Sequence, residues 1–208
     1  MPKVAILGAS GKLGDRLVAR ALEEGYSVNA LARDPRRLKR QNEKLTIMRG
    51  DAETGEGLEA LIDHCQYVIC AIGALRPVVE ACMSHLLPKL AAMKRFQRIV
   101  LISRIGTGES RPQALKVSGL LQQQLPVILT PVFRDINLAE ARLRSSPLPY
   151  TILRSTRLTD DPPTGKVITV GPKEPPPHRI TRADLAHHVI ELLGTQDHLR
   201  EELTVGSG

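Results

Sequence analysis

The chain has 208 residues, 42% of them hydrophobic, which is enough for one buried core and too few for two domains of ordinary size. Apolar runs are broken by charge or proline before the ~20 residues that a bilayer span requires, and Lys3 opens a strand with no signal-peptide pattern ahead of it, so a soluble, cytoplasmic protein is expected. The formal charge of +7 does not read as a nucleic-acid surface: Arg33, Arg36, Arg37, Lys39, Arg40 and Lys44 against Asp34 and Glu43 concentrate +4 of it in one short block, and no Trp, two Phe and three Tyr leave almost nothing on which bases could stack.

Lys3–Leu7 reads as a strand that runs into Gly8-Ala9-Ser10-Gly11-Lys12-Leu13-Gly14. Three glycines spaced by three form a weak signal alone, and an ordinary Gly-rich turn would show the same triplet. Here Leu13, Leu17, Val18, Ala21 and Leu22 follow at helical spacing and Gly25 closes a helix over Lys12–Glu24. The context makes it a dinucleotide-binding turn: one glycine for the tight turn, one for backbone approach to a pyrophosphate, one for close helix packing, with the helix N-terminus toward the phosphates.

Strands are expected at Ser27–Ala32, Leu45–Arg49, Tyr67–Ile72 and Arg98–Ile102, with helices at Pro35–Asn42, Gly57–His64 and Pro77–Lys94 between them. This β-α-β alternation predicts a doubly wound parallel sheet whose ligand crevice lies beyond the carboxyl ends of the strands. The second half is less regular. Gly106–Pro131 reads as a loop with a short helix over the crevice, followed by a helix at Asp135–Arg144 and strands at Tyr150–Arg154 and Lys166–Val170. Thr181 and Asp184 form a capping box for a last helix, and Leu203–Val205 is a possible final strand. No exposed heptad or long apolar face stands out, so a monomer is expected.

At the end of the second strand, where an acid would bind the ribose of NAD, the chain has Ala32-Arg33 followed by Arg36 and Arg37. Arg33 and Arg37 suit the 2′-phosphate of NADP, which makes NADP(H) the expected cofactor. Asp34 is better read as the cap of the helix beginning at Pro35. Asp51 after the third strand is placed either to meet the adenine or to close a turn. Ala71, Ile72 and Gly73 at the fourth strand, Ser103 and Arg104 at the fifth, and Ser155 and Thr156 after the sixth are expected around the nicotinamide.

Hydride transfer asks mainly for positioning. None of Tyr26, Tyr67 and Tyr150 has a Lys four residues on, so reduction of ordinary ketones by a Tyr/Lys couple is disfavoured. Ser103 could serve the site or merely satisfy a backbone group at the strand end. Glu140 is read as a surface residue paired with Arg144, and His187 and His188 as surface or interface residues and not ligands. Cys65, Cys70 and Cys82 show no CxxC pair or ligand spacing with histidine, so no metal and no disulfide are expected.

In Gly8–Gly14, Ala32-Arg33-Asp34 with Arg37, Gly50-Asp51, Ala71-Ile72-Gly73, Ser103, Leu148–Arg154 and the stretch from Asp161 through Arg179–Ala186, the chain resembles the atypical short-chain dehydrogenase/reductase superfamily. The match is to its single-domain branch typified by biliverdin reductase B, or flavin reductase. The resemblance covers nearly the whole chain. It implies one Rossmann-fold NAD(P)-binding domain over 1–208, with about 104–208 shaping the substrate pocket. It further implies an NADPH-dependent reductase acting on a planar acceptor, a flavin such as FMN or riboflavin or a biliverdin-type tetrapyrrole, with Ser103 orienting substrate and nicotinamide and the proton coming from water. Where that branch has Pro-Pro-His, this chain has Ser155-Thr156-Arg157, which makes Arg157 the candidate beside the acceptor. Two other readings share the fold: a non-catalytic NADP(H) sensor or assembly factor of the NmrA-like type, and a quinone reductase.

Overall fold

Val4, Ala5, Ile6 and Leu7 are all fully buried, because β1 (Lys3–Leu7) lies mid-sheet with helices over both faces. The computed structural model describes residues 1–73, 76–117, 130–172 and 174–207. With β2 (Ser27–Ala32), β3 (Leu45–Arg49), β4 (Tyr67–Cys70), β5 (Arg98–Arg104), β6 (Tyr150–Ser155), β8 (Val167–Val170) and β10 (Glu201–Ser207), β1 forms an eight-stranded sheet in the order β3-β2-β1-β4-β5-β6-β10-β8. Every pairing is parallel except β10 with β8 at the edge. Leu7 is in register with Leu31 on one side and Cys70 on the other. Between β1 and β4 the winding reverses, which opens the crevice expected of a Rossmann fold.

Alternation along β1 divides the core. Val4 and Ile6 pack with Leu17, Val18, Leu185 and Val189 of α1 (Lys12–Glu23) and α6 (Arg182–Leu193). Ala5 and Leu7 pack on the other face with Leu58, Met83, Leu86, Ala139 and Leu143 of α2 (Leu58–Ile62), α3 (Val79–Ala91) and α5 (Thr130–Ser145). α6 begins as its capping box requires, with the Asp184 N–H donating to Thr181 Oγ1 at 2.9 Å. Arg98, fully buried, donates to the carbonyls of Leu192, Thr195 and Asp197 and so fastens the end of α6 to β5.

Several expected elements change. The helix expected at Pro35–Asn42 is a single 3-10 turn, Pro35–Arg37, because Leu38 turns to extended backbone and is buried in the core. The fourth strand stops at Cys70, the helix expected at Pro77–Lys94 is trimmed to Val79–Ala91, and α5 starts earlier than expected, at Thr130. In the loop expected over Gly106–Pro131, a 3-10 turn at Gly108–Ser110 leads into α4 (Arg111–Val117), and residues 118–129 lie outside the described residues. Two short strands were not expected as a pair: β7 (Arg157–Thr159) and β9 (Arg179–Thr181) form their own parallel ladder. Among the described residues, no helix is long and apolar enough to cross a membrane.

Candidate functional site

The glycine turn is shaped by contact with β4. Gly8 has φ +80°, and a Cβ there would lie 2.7 Å from the Ala71 carbonyl carbon and 3.0 Å from the Ile72 N. At Gly14, in the first turn of α1, a Cβ would lie 2.6 Å from Ala9 Cα. The strand ends and the helix therefore meet backbone to backbone. Gly11 caps α1 without any side-chain hydrogen bond, so no side chain occupies the N–H groups of the first turn. Leu13 packs its side chain into the core and offers a ligand only its backbone. Lys12 is exposed, with Nζ 3.1 Å from Asp160.

At the end of β2, Asp34 caps the 3-10 turn, accepting from the Arg36 N–H at 3.2 Å and from its Nε at 2.9 Å. The Arg36 guanidinium holds the Asp34 carboxyl below the usual carboxylate range. Arg33 and Arg37, both exposed, have no acid partner among the described residues. Asp51 closes a turn, its Oδ1 accepting from the Glu53 N–H at 2.8 Å. Gly73, past the end of β4, is exposed, and a Cβ there would meet nothing within 4 Å.

The end of β5 differs most from expectation. Glu140 is not on the surface: it is fully buried and pairs with Arg154, Oε2 lying 2.7 Å from Nη2. Charge does not send this residue outward because Arg154, itself fully buried in β6, needs a carboxylate there. Arg144, the expected partner of Glu140, pairs with Glu202 instead, and Glu202 also meets Arg154. Burial alone would depress the Arg154 pKa, but the two carboxylates outweigh it and hold it above its ordinary value. Ser103 joins this network, donating to Glu140 Oε1 at 2.5 Å, with its Oγ 3.0 Å from Thr107 Oγ1. Thr107 donates to the same carboxylate oxygen at 2.7 Å. Gly108 lies so near this pair that a Cβ would be 3.0 Å from Arg154 Cζ and 2.8 Å from Glu140 Oε2.

Ser155 donates to the Ser103 carbonyl at 3.1 Å and Thr156 to the Val205 carbonyl at 3.2 Å, so both hydroxyls tie β6 to its neighbours. Arg104 lies over the Phe133 ring, 5.0 Å from its centroid. Arg157 is exposed and lines an open groove of about 470 Å³ with Asp160, Asp161, Arg179 and Arg182. Nothing joins Arg157 to Ser103 among the described residues. Both histidines are half-buried: His187 lies beside Glu191, and burial lowers the pKa of His188.

The model of the NAD(P)H-binding family matches residues 8–196, from the first glycine of the turn through the end of α6. The chain belongs to that family. An uncharacterized chloroplastic protein of Arabidopsis thaliana is 30% identical over 198 residues, covering 80% of this chain and 62% of its own, so this chain spans less than two thirds of that relative. Among solved structures, a wide-type short-chain dehydrogenase/reductase of Veillonella parvula in complex with NADP has the same fold, with a TM-score of 0.84 at 22% identity over 99% of this chain and 94% of that one. ChuY, an anaerobillin reductase from Escherichia coli O157:H7, superposes with a TM-score of 0.80 at 24% identity over 100% and 97% of the two chains.

The residues fit the dinucleotide of the family. The turn leaves no room for a Cβ at Gly8 or Gly14, Gly11 keeps the backbone bare where it must approach a pyrophosphate, and the end of α1 supplies donors. Among the described residues, no group of His, Cys, Asp and Glu is arranged to hold a metal ion.

Proposed function

We propose that this protein is an NADPH-dependent reductase that acts on a planar conjugated acceptor, a flavin or a biliverdin-type linear tetrapyrrole. The observation that carries this reading is the commitment of the Ser103 hydroxyl. Its proton lies on the 2.5 Å bond to Glu140, so toward the crevice the oxygen can accept a hydrogen bond but has no proton to give. With no Tyr/Lys couple in the chain, an isolated carbonyl would find no acid for its developing alkoxide. A conjugated acceptor spreads the added electron pair over its ring system and takes its proton from water.

Bound NADPH supplies the hydride. Gly8, Ser10, Gly11, Lys12, Leu13 and Gly14 would hold the pyrophosphate, and Arg33 and Arg37 would select the 2′-phosphate, because their guanidinium groups are exposed and unpaired among the described residues. Ala71, Ile72, Gly73 and Ser103 would border the nicotinamide, with Ser155 and Thr156 contributing backbone. Arg157, exposed and unpaired among the described residues, would stand on the acceptor side. The reductase named for the fold neighbour ChuY adds support to the tetrapyrrole arm of the proposal.

The test is NADPH oxidation by purified protein with FMN, riboflavin or biliverdin, compared with NADH and with Ser103→Ala. Acceptor-dependent oxidation that prefers NADPH and falls about tenfold in the variant is expected, the loss of one orienting hydrogen bond. Tight binding of NADPH and NADP⁺ with no oxidation under any acceptor would overturn the reductase and favour the sensor.

A further inference from the structure

We infer that Arg104 anchors an anionic group of the acceptor, a carboxylate or a phosphate ester, at the mouth of the crevice beyond β5. The inference rests on reading that crevice as an acceptor site. Six arginines are buried or half-buried, and five of them have partners. Arg20 pairs with Glu23 and Glu24, Arg40 with Asp15, Arg182 with Asp160 and Arg154 with Glu140 and Glu202, while Arg98 donates to three carbonyls. Arg104 alone has no hydrogen bond or ion pair from its guanidinium among the described residues.

Among the described residues no acid neutralises it. Two acids of α5 face inward, and both are used elsewhere: Glu140 by Arg154, Ser103 and Thr107, and Asp135 by the N–H groups of Val79 and Glu80 at the start of α3, at 2.8 and 3.1 Å. Burial lowers the Arg104 pKa with no anion to offset it. Its guanidinium carbon lies over the Phe133 ring, 5.0 Å from the centroid, and the ring sits where the bare backbone of Gly106 leaves room, 3.1 Å from where a Cβ would be. A partly desolvated guanidinium against an aromatic ring, with its donors unspent among the described residues, fits a bidentate oxyanion.

The anion is not one of the cofactor's phosphates. Those are accounted for by the glycine turn after β1 and the arginines after β2, and in the order β3-β2-β1-β4-β5 the end of β5 lies two strand spacings from β1, roughly 10 Å, and three from β2. Ser103, the preceding residue, ties the position to the reacting end of the crevice.

The experiment is a calorimetric titration of NADP⁺-saturated protein, which needs no turnover, with two matched pairs: FMN against riboflavin for phosphate, and biliverdin against its dimethyl ester for carboxylate. At least one charged partner should bind about tenfold or more tighter than its neutral counterpart. That preference should vanish in Arg104→Met, which keeps the packing on Phe133, and survive in part in Arg104→Lys. The inference is overturned if neither charged partner binds, if the wild type is indifferent to charge, if the preference persists in Arg104→Met, or if that variant weakens NADPH instead. NADPH oxidation in the same samples separates the two claims. Turnover blind to acceptor charge removes the anchor and leaves the reductase, whereas a charge preference lost in Arg104→Met without any turnover removes the reductase and leaves the anchor.

Discussion

Replacing Glu140 by Ala should be among the most destabilising single changes in this chain. The carboxylate it removes is fully buried and contacts the Arg154 guanidinium at 2.7 and 3.3 Å and the hydroxyls of Ser103 and Thr107 at 2.5 and 2.7 Å. The hydroxyls have other recourse, since the single Thr107 proton can turn to the Arg104 carbonyl, 2.8 Å from its Oγ1, and Ser103 lies 3.0 Å from Thr107. The loss therefore falls on Arg154, whose Nη1 is already buried without a partner. Removing one member of a buried ion pair costs about 3–5 kcal/mol, and because Glu202 remains beside Arg154 the lower end, about 3 kcal/mol, is expected. Against a total stability of about 5–15 kcal/mol this is a large fraction, and it should lower the urea midpoint by about 1 M or more. Equilibrium urea unfolding checks it, alongside the double variant Glu140→Leu/Arg154→Leu. The pair removed together should cost less than the sum of the two single losses, because no uncompensated charge is left between them. A loss under about 1 kcal/mol in Glu140→Ala, or a double variant as poor as the sum, would refute the reasoning.

Arg33→Ala combined with Arg37→Ala should weaken NADPH by about tenfold or more and leave NADH nearly unchanged, since charge-assisted bonds to the 2′-phosphate are all that NADH lacks; equal losses for both dinucleotides, read by fluorescence titration, would remove these arginines from the specificity argument. Asp184 should contribute to stability in a pH-dependent way. Burial raises its pKa, but the N–H groups of Thr164 and Gly165 and the hydroxyls of Thr181 and Thr164 outweigh burial and leave it below the usual carboxylate value. The unfolded chain thus binds the proton more readily, so the contribution is complete above about pH 4 and is lost as pH falls through the lowered folded value. Urea midpoints of wild type and Asp184→Asn should accordingly lie apart at neutral pH and converge in acid, and a gap that is constant with pH would exclude this role.

Much of the sheet could be read from the chain because its strands announce themselves locally. Lys3–Leu7, Ser27–Ala32 and Leu45–Arg49 begin and end where the sequence places them, each a short apolar run closed by glycine or a turn residue. Asp34 as a cap and the box at Thr181 and Asp184 are equally local. What escaped depends on partners distant in sequence. β7 and β9 are three residues each, too short for a period, and exist because Arg157–Thr159 meets Arg179–Thr181 across the fold. The helix over Pro35–Asn42 ends after one turn because Leu38 is drawn into the core, a tertiary demand that overrides local propensity.

Glu140 was misread for a different reason, and the correction shows how the candidate site is built. Its position was visible: Val132, Ile136, Ala139 and Leu143 form the buried stripe of α5, and Asp135 and Glu140 fall within that stripe at helical spacing. Arg154 likewise ends the apolar run Tyr150-Thr151-Ile152-Leu153. A buried cation on a strand and a buried acid on the facing helix call for each other, because neither is tolerated alone. Once joined they accept the Ser103 proton as well, so in the proposed reaction Ser103 would orient by accepting and would not protonate. Among the arginines of the candidate site, Arg33, Arg37, Arg104 and Arg157 have no such counterpart among the described residues, and three of them are exposed. Arg104 differs in being held half-buried on Phe133 beside that closed network, where the protein bears the cost of desolvating a cation without pairing it. Such an arrangement is relieved by a ligand's anion.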